Sequence, residues 1–347
     1  MKFKAAVIGL KIGEAWARAA LALPEVELVM VYDKYYEENE TINKALFAAH
    51  RIPVAAAEED IYHSDADFVV VASPDHFHTE QVLKALDAGK HVICEKPLAP
   101  TLAECRQIVA AVRQAGRTFM TGQVCRYAPG FKLAHQLILA GHIGEIACLE
   151  SEYAHDYRLA PGYRNWRRDP ASQRYSFLGG GCHALDLTRY LAGDPVEVFA
   201  YFNHKLQPDW PLPDTGIAVA RFPNGVIGRV LVSSGAKRPY SMRTVIYGTR
   251  GTIICDNTSD HLLLCEEALC ETPEKLQFAT VPISVSSHNI QAELADFVDA
   301  LSHRRPCPTD AAEGARTVAF AEAAIRSARS GRAEAVEIIE IPGEPAQ

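Results

Sequence analysis

The sequence predicts a Rossmann-like, doubly wound α/β domain at its N-terminus, and three observations predict it. Short β-rich runs recur through the first 125 residues, helical patterns separate them, and each run is apolar throughout rather than alternating. Strands of that kind are buried on both faces, as in a parallel sheet covered by crossover helices. The chain has 347 residues, and at roughly 100–200 residues per domain it has room for a second domain.

The elements follow in order. Residues 3–10 (FKAAVIGL) form the first strand, and an Ala-rich stretch at 14–23 forms the first helix, stopped by Pro24. Proline lacks the N–H a helix needs and clashes with the preceding turn. Further strands are predicted at 27–33, 67–72, 91–95 and 118–122, with helices at 79–88 and 101–115. Thr101 and Glu104 have the spacing of a capping box at the start of the last helix.

Composition narrows the function classes. Apolar residues make up 48% and charged residues 22%, the balance of a globular protein with a real core. Net charge is −8, so no basic excess exists to displace counterions from a polyanion, and a nucleic-acid partner is not expected. No apolar run is long enough for a membrane span, and Lys11, Glu14 and Arg18 interrupt the N-terminal run, so no signal peptide is expected. Nine cysteines, without a CxxC pair, read as reduced thiols rather than a disulfide framework or a zinc site, which points to the cytoplasm.

A dinucleotide site calls for GxGxxG at the first strand-to-helix turn and an acid about 20 residues later. Here the turn is Gly9-Leu10-Lys11-Ile12-Gly13: the outer glycines are present, the middle one is missing, and the loop is one residue short. Asp33 stands 20 residues after Gly13, where its carboxylate can accept from both ribose hydroxyls. Lys34 beside it leaves NADP open as well as NAD.

Residues 69–98 contain a strand, then Ser73-Pro74-Asp75-x-x-His78, a helix, a second strand and Glu95-Lys96-Pro97. Together with 122–145 (GQVCRYAPGFKLAHQLILAGHIGE), Gly179-Gly180-Gly181-Cys182-His183-x-x-Asp186 and the C-terminal stretch, this resembles the Gfo/Idh/MocA family of oxidoreductases. The resemblance implies a nucleotide-binding Rossmann domain at 1–125. It implies a substrate-binding and oligomerisation α/β domain at 126–347, built on an open, mostly antiparallel sheet. Residues about 196–285 suit that sheet, with strands at 196–202, 216–221, 226–233, 243–247 and 252–255 and a hairpin turn at Asn224-Gly225. A helix at 311–329 is expected to pack back on the first domain. Members act mostly on sugars, cyclitols and related polyols, so the expected partner is such a small molecule, with a homo-oligomer (dimer or tetramer) as the assembly.

The chemistry expected is hydride transfer between NAD(P) and a secondary alcohol. Lys96, at the end of a parallel strand, would stabilise the alkoxide, and the resemblance implies that His183 takes the proton. Gly9, Lys11, Ile12, Gly13, Asp33, Lys34, Ser73, Pro74, Asp75, His78, Glu95 and Lys96 are the expected cofactor contacts. Lys96, Arg126, Tyr153, His155, Trp166, Arg167, His183 and Asp186 are the expected substrate contacts, with Asp186 also placed to orient the imidazole. Many members carry an aspartate four residues before the histidine. Here that position is Gly179, and Asp156 or Asp169 are the acids open to replace it. His76 and His78 lack a third ligand at a recognisable spacing, so no metal is expected. The departures at the glycine loop and Gly179 keep two other readings open: a redox-neutral, NAD-using glycoside lyase or hydrolase, and a non-catalytic nucleotide or sugar sensor.

Overall fold

The structure is a computed structural model and describes residues 2–172, 174–270, 272–286 and 288–339. The chain divides into two compact units. Of the described residues, the first holds 2–123 with Ile290–Val318, and the second holds those of Val124–Asn289 with 319–339. A single domain was expected after residue 125, whereas 290–318 belongs with the first unit.

The first unit runs β1 (Phe3–Ile8), α1 (Gly13–Ala22), β2 (Val26–Tyr32), α2 (Lys44–Ala49), α3 (Glu58–His63), β3 (Phe68–Val71), α4 (His78–Asp87), β4 (His91–Glu95), α5 (Leu102–Ala115) and β5 (Phe119–Gly122). Its five strands pair in the order β2-β1-β3-β4-β5, all parallel. Thr101 caps α5: its hydroxyl accepts from the Glu104 N–H at 3.2 Å and donates to the Glu104 carboxylate at 2.6 Å. The short helices α2 and α3 were not expected from the sequence. Each has six residues, too few to show a helical period, and each starts on a local cap, the Asn43 side chain or the Asp60 carboxylate.

Trp16, Ala17, Ala19 and Ala20 make the buried face of α1. The helix α9 (Ile290–His303) packs against it, and Phe297 sets its ring edge-on to Phe68 at 5.2 Å. Burying a phenylalanine contributes roughly 1.5–3 kcal/mol, so this pair ties the late segment firmly to the parallel sheet.

The second unit begins with α6 (Pro129–Leu139) and β6 (Ile146–Ala154), then α7 (Ser176–Gly179) and α8 (Cys182–Ala192). Seven strands follow: β7 (Glu197–Asn203), β8 (Thr215–Arg221), β9 (Ile227–Ser233), β10 (Ser241–Gly248), β11 (Gly251–Asp256), β12 (His261–Glu266) and β13 (Ala279–Pro282). After α10 (Ala311–Ser330), β14 (Glu334–Ala335) completes a nine-stranded sheet ordered β13-β12-β11-β10-β6-β9-β8-β7-β14. It is antiparallel except between β6 and β9. Phe222, Asn224, Gly225 and Val226 close the β8–β9 hairpin, with Gly225 at φ +83. The sheet was expected within 196–285, but β6 lies before that range and β14 after it. The division between the two units falls inside α10.

Candidate active site

In the first unit the glycine turn closes despite its missing residue. Gly9 has φ +84, and a Cβ there would stand 2.6–2.7 Å from the backbone of Ala72 and Ser73. A Cβ on Gly13 would reach within 2.8 Å of the Val7 side chain, so α1 sits directly on β1. Lys11 and Ile12 are exposed at the start of α1, and the N–H groups of Lys11, Ile12 and Gly13 have no partner among the described residues. Unpartnered N–H groups at a helix start form a cradle for a phosphate, so the shortened turn fits a dinucleotide. The Asp33 carboxylate fixes this turn from the end of β2, accepting from the Leu10 N–H at 2.8 Å and the Tyr35 N–H at 2.9 Å. Lys34 is exposed next to it.

Lys96 follows the last residue of β4, and the Lys96–Pro97 peptide is cis. Two expected cofactor residues turn out to hold this corner together. Glu95 is buried; it accepts from the Trp16 indole at 2.8 Å and from the Lys96 N–H at 3.1 Å. His78 is fully buried between the Pro97 carbonyl at Nδ1, 2.9 Å, and the Ser73 carbonyl at Nε2, 3.0 Å. A side chain whose polar atoms are buried on such partners positions the corner that carries Lys96. Asp75 is likewise buried, while Ser73 and Pro74 are partly exposed. His76 is exposed, its ring tilted against Phe77 at 4.1 Å, and with His78 buried the two do not form a metal pair.

Burial is the main cause that holds the His78 imidazole below its ordinary value, against the opposing pull of the Ser73 and Pro97 carbonyls. The unfolded chain therefore binds the proton first, and stability falls as pH drops below about 6.5. The thermal midpoint is expected to fall between pH 7.5 and 5.5, and His78→Gln is expected to shrink that fall. An unchanged slope would show that His78 does not set this dependence.

In the second unit His183 lies in the first turn of α8 and is buried. Three close-packed glycines lead into it. A Cβ on Gly180 would fall 2.2–2.3 Å from the Tyr153 and Tyr157 hydroxyls, so only glycine lets those tyrosines approach. The Tyr153 ring stacks over His183 at 6.3 Å, Tyr240 meets Tyr153 edge-on at 5.5 Å, and the Tyr153 and Tyr157 hydroxyls are 3.2 Å apart. Burial pushes the Tyr153 and Tyr240 hydroxyls well above the usual phenol value, so they stay protonated. His155 is half-buried in the same aromatic cluster, 5.4 Å from the Tyr157 ring.

Asp186 is held by arginines. Its carboxylate takes a two-pronged bond from Arg126, 2.8 Å from Nε and 2.6 Å from Nη2, with Arg189 at 3.7 Å. Side chains of Arg126 and Asp186 are 8% and 1% exposed, so two expected substrate residues are largely spent on each other. The sulfur of Cys125 lies 3.3 Å from His183 Nδ1, a neighbour that nothing in the sequence marks.

The space of the missing aspartate is filled. A Cβ at Gly179 would meet the Arg174 guanidinium at 2.7–3.1 Å. Arg174 is buried with its guanidinium 4.9 Å over the Trp166 ring, and burial pulls it down to about 10. Of the two acids open to replace it, Asp156 is paired with Arg158 and Asp169 is exposed. The hydrogen bond and charge of Arg158 hold Asp156 well below the usual carboxylate range, at 2.5–3.2 Å, and Asp169 is exposed, accepting from the Ala171 N–H. Arg167 lies over Tyr157 and Trp166 and gives one N–H to the Ala160 carbonyl at 2.6 Å.

Residues 3–123 match the oxidoreductase-family NAD-binding Rossmann fold of GFO/IDH/MocA proteins, and residues 131–254 match the GFO/IDH/MocA C-terminal domain. The chain belongs to the GFO/IDH/MocA oxidoreductase family. Among relatives, it is 28% identical over 290 residues to the 1,5-anhydro-D-fructose reductase of Ensifer adhaerens, covering 82% of this chain and 84% of that protein. It is 28% identical over 239 residues to the 2,7-anhydro-N-acetylneuraminate hydratase of Escherichia coli, covering 66% and 61%. A solved levoglucosan dehydrogenase in complex with NADH and levoglucosan shares the fold, with a TM-score of 0.87 at 23% identity over 98% of this chain and 100% of that one. As a GFO/IDH/MocA oxidoreductase the chain carries an NAD-binding domain, and the unpartnered N–H groups beside Lys11 and Ile12 are where its fold offers an anion cradle. Among the described residues no helix is long and apolar enough to cross a membrane.

Proposed function

We propose that this family member is an NAD-dependent oxidoreductase that moves a hydride between nicotinamide and a secondary alcohol or ketone of a sugar, cyclitol or related polyol. The observation that carries the reading is Lys96, held at the end of β4 by the Glu95 and His78 corner in an NAD-binding domain. Bound nicotinamide supplies the hydride acceptor. The Lys96 ammonium donates to the substrate oxygen and stabilises the alkoxide that develops there. His183 accepts the hydroxyl proton. Tyr153, His155, Trp166 and Arg167 supply ring faces and donors to the sugar, and the Arg126–Asp186 pair fixes the segment beside Cys125 against α8. The reductase relative, which acts on an anhydro sugar by name, supports a polyol substrate.

Asp33 favours NAD over NADP. Its carboxylate is fixed by two backbone N–H groups at the end of β2, where it accepts from ribose hydroxyls and repels a 2′-phosphate. The family resemblance supports a dimer or tetramer, and scattered thiols support a cytoplasmic setting. A redox-neutral reaction is the second reading, favoured by the hydratase relative and by Arg174 standing in the place of the missing aspartate. Lys96→Met is expected to lower kcat about 10²–10³-fold while NADH binding, read by nicotinamide fluorescence, persists. Full turnover in Lys96→Met would overturn the assignment of this residue.

A further inference from the structure

Cys125, His183 and His288 are far apart in sequence and adjacent in the second unit. Their ligand atoms, one sulfur and two ring nitrogens, all lie within 4.8 Å of one another. Tetrahedral zinc, with Zn–S near 2.3 Å and Zn–N near 2.0–2.1 Å, sets ligand atoms about 3.3–3.6 Å apart. Cys125 Sγ and His183 Nδ1 already stand at 3.3 Å. His288 is the exposed member, so a shift on the order of 1 Å by its side chain completes the set.

The surroundings also have the right chemistry. The Met242 thioether lies 3.5 Å from the Cys125 sulfur, and the Tyr240 hydroxyl stands 3.0 Å from that thioether and 3.4 Å from His288 Nε2. No carboxylate belongs to the cluster, so hard cations that want oxygen are poorly served. One thiolate and two imidazoles suit a borderline or soft ion and leave a fourth position open.

We propose that Cys125, His183 and His288 form a binding site for a divalent cation of the zinc class, with water or a substrate oxygen in the fourth position. Binding breaks the Cys125 S–H bond, releases that proton to solvent and forms a metal–sulfur bond, with no change of oxidation state. The metal and a proton then compete for the same His183 ring. Cation binding does not depend on the hydride-transfer reading, because it is measured without substrate or nucleotide.

The test titrates the full chain, reduced and metal-free, with Co²⁺ as a spectroscopic stand-in for Zn²⁺. Expected are a near-ultraviolet thiolate-to-cobalt charge-transfer band saturating at one equivalent, and its loss when Zn²⁺ is added. Cys125→Ser is expected to lack the band, and His288→Ala to weaken binding at least about tenfold. The absence of a saturable band in the wild type, or unchanged binding in either folded variant, would overturn the proposal. If Cys125→Ser does not fold by circular dichroism, exposed His288 decides the matter through His288→Ala alone.

Discussion

His183→Asn is expected to lower kcat for polyol oxidation by about 10²–10⁴-fold, the range a positioned general base supplies. The variant keeps a planar polar side chain under Tyr153, so the aromatic stack and α8 remain. The base must be unprotonated to accept the hydroxyl proton, so a side chain that takes up no proton at this position cannot replace it. Unchanged kcat in folded His183→Asn would assign the proton to another group.

Asp186→Ala is expected to cost about 3–5 kcal/mol of stability, measured by denaturant unfolding. The reason is burial: Asp186 is 1% exposed and Arg126 8%, and removing the carboxylate leaves the Arg126 guanidinium in a low-dielectric site without its two-pronged partner. Arg126→Met should cost less, since Arg189 remains 3.7 Å from the carboxylate. A paired replacement by apolar side chains of similar volume, Arg126→Met with Asp186→Leu, should recover much of the loss. Equal costs for Asp186→Ala and the double variant would show that the pair is not what holds this segment.

Much of the fold was readable because it rests on local signals. Apolar runs placed each strand of the parallel sheet within a residue or two, Pro24 ended α1, and Thr101 capped α5. The strand β6 was missed because Glu150 and Glu152 break its apolar run. Those glutamates face Arg229 at 2.7 Å and Arg238 at 2.8 Å, from other parts of the same unit, so their acceptability in a central strand is tertiary.

The candidate site divides in the same way. Asp33, Lys96 and His183 stand in motifs whose residue types announce chemistry. The roles of their neighbours are set by distance in space. Asp186 sits one helical turn after His183, yet Arg126, far back in the chain, claims its carboxylate. Glu95 and His78 belong to a motif, but only burial reveals that they anchor Lys96 and do not reach outward. Tyr240 and His288 carried no signal at all, since nothing along the chain marks which side chains ring His183.

The most direct measurement incubates the purified chain with NAD⁺ and a panel of polyols, anhydro sugars and cyclitols, and follows NADH absorbance alongside product chromatography. NADH is expected to accumulate in step with ketone for at least one substrate, with Lys96→Met suppressing both. Substrate consumed with no accumulated NADH would contradict net hydride transfer and establish the redox-neutral reading in its place.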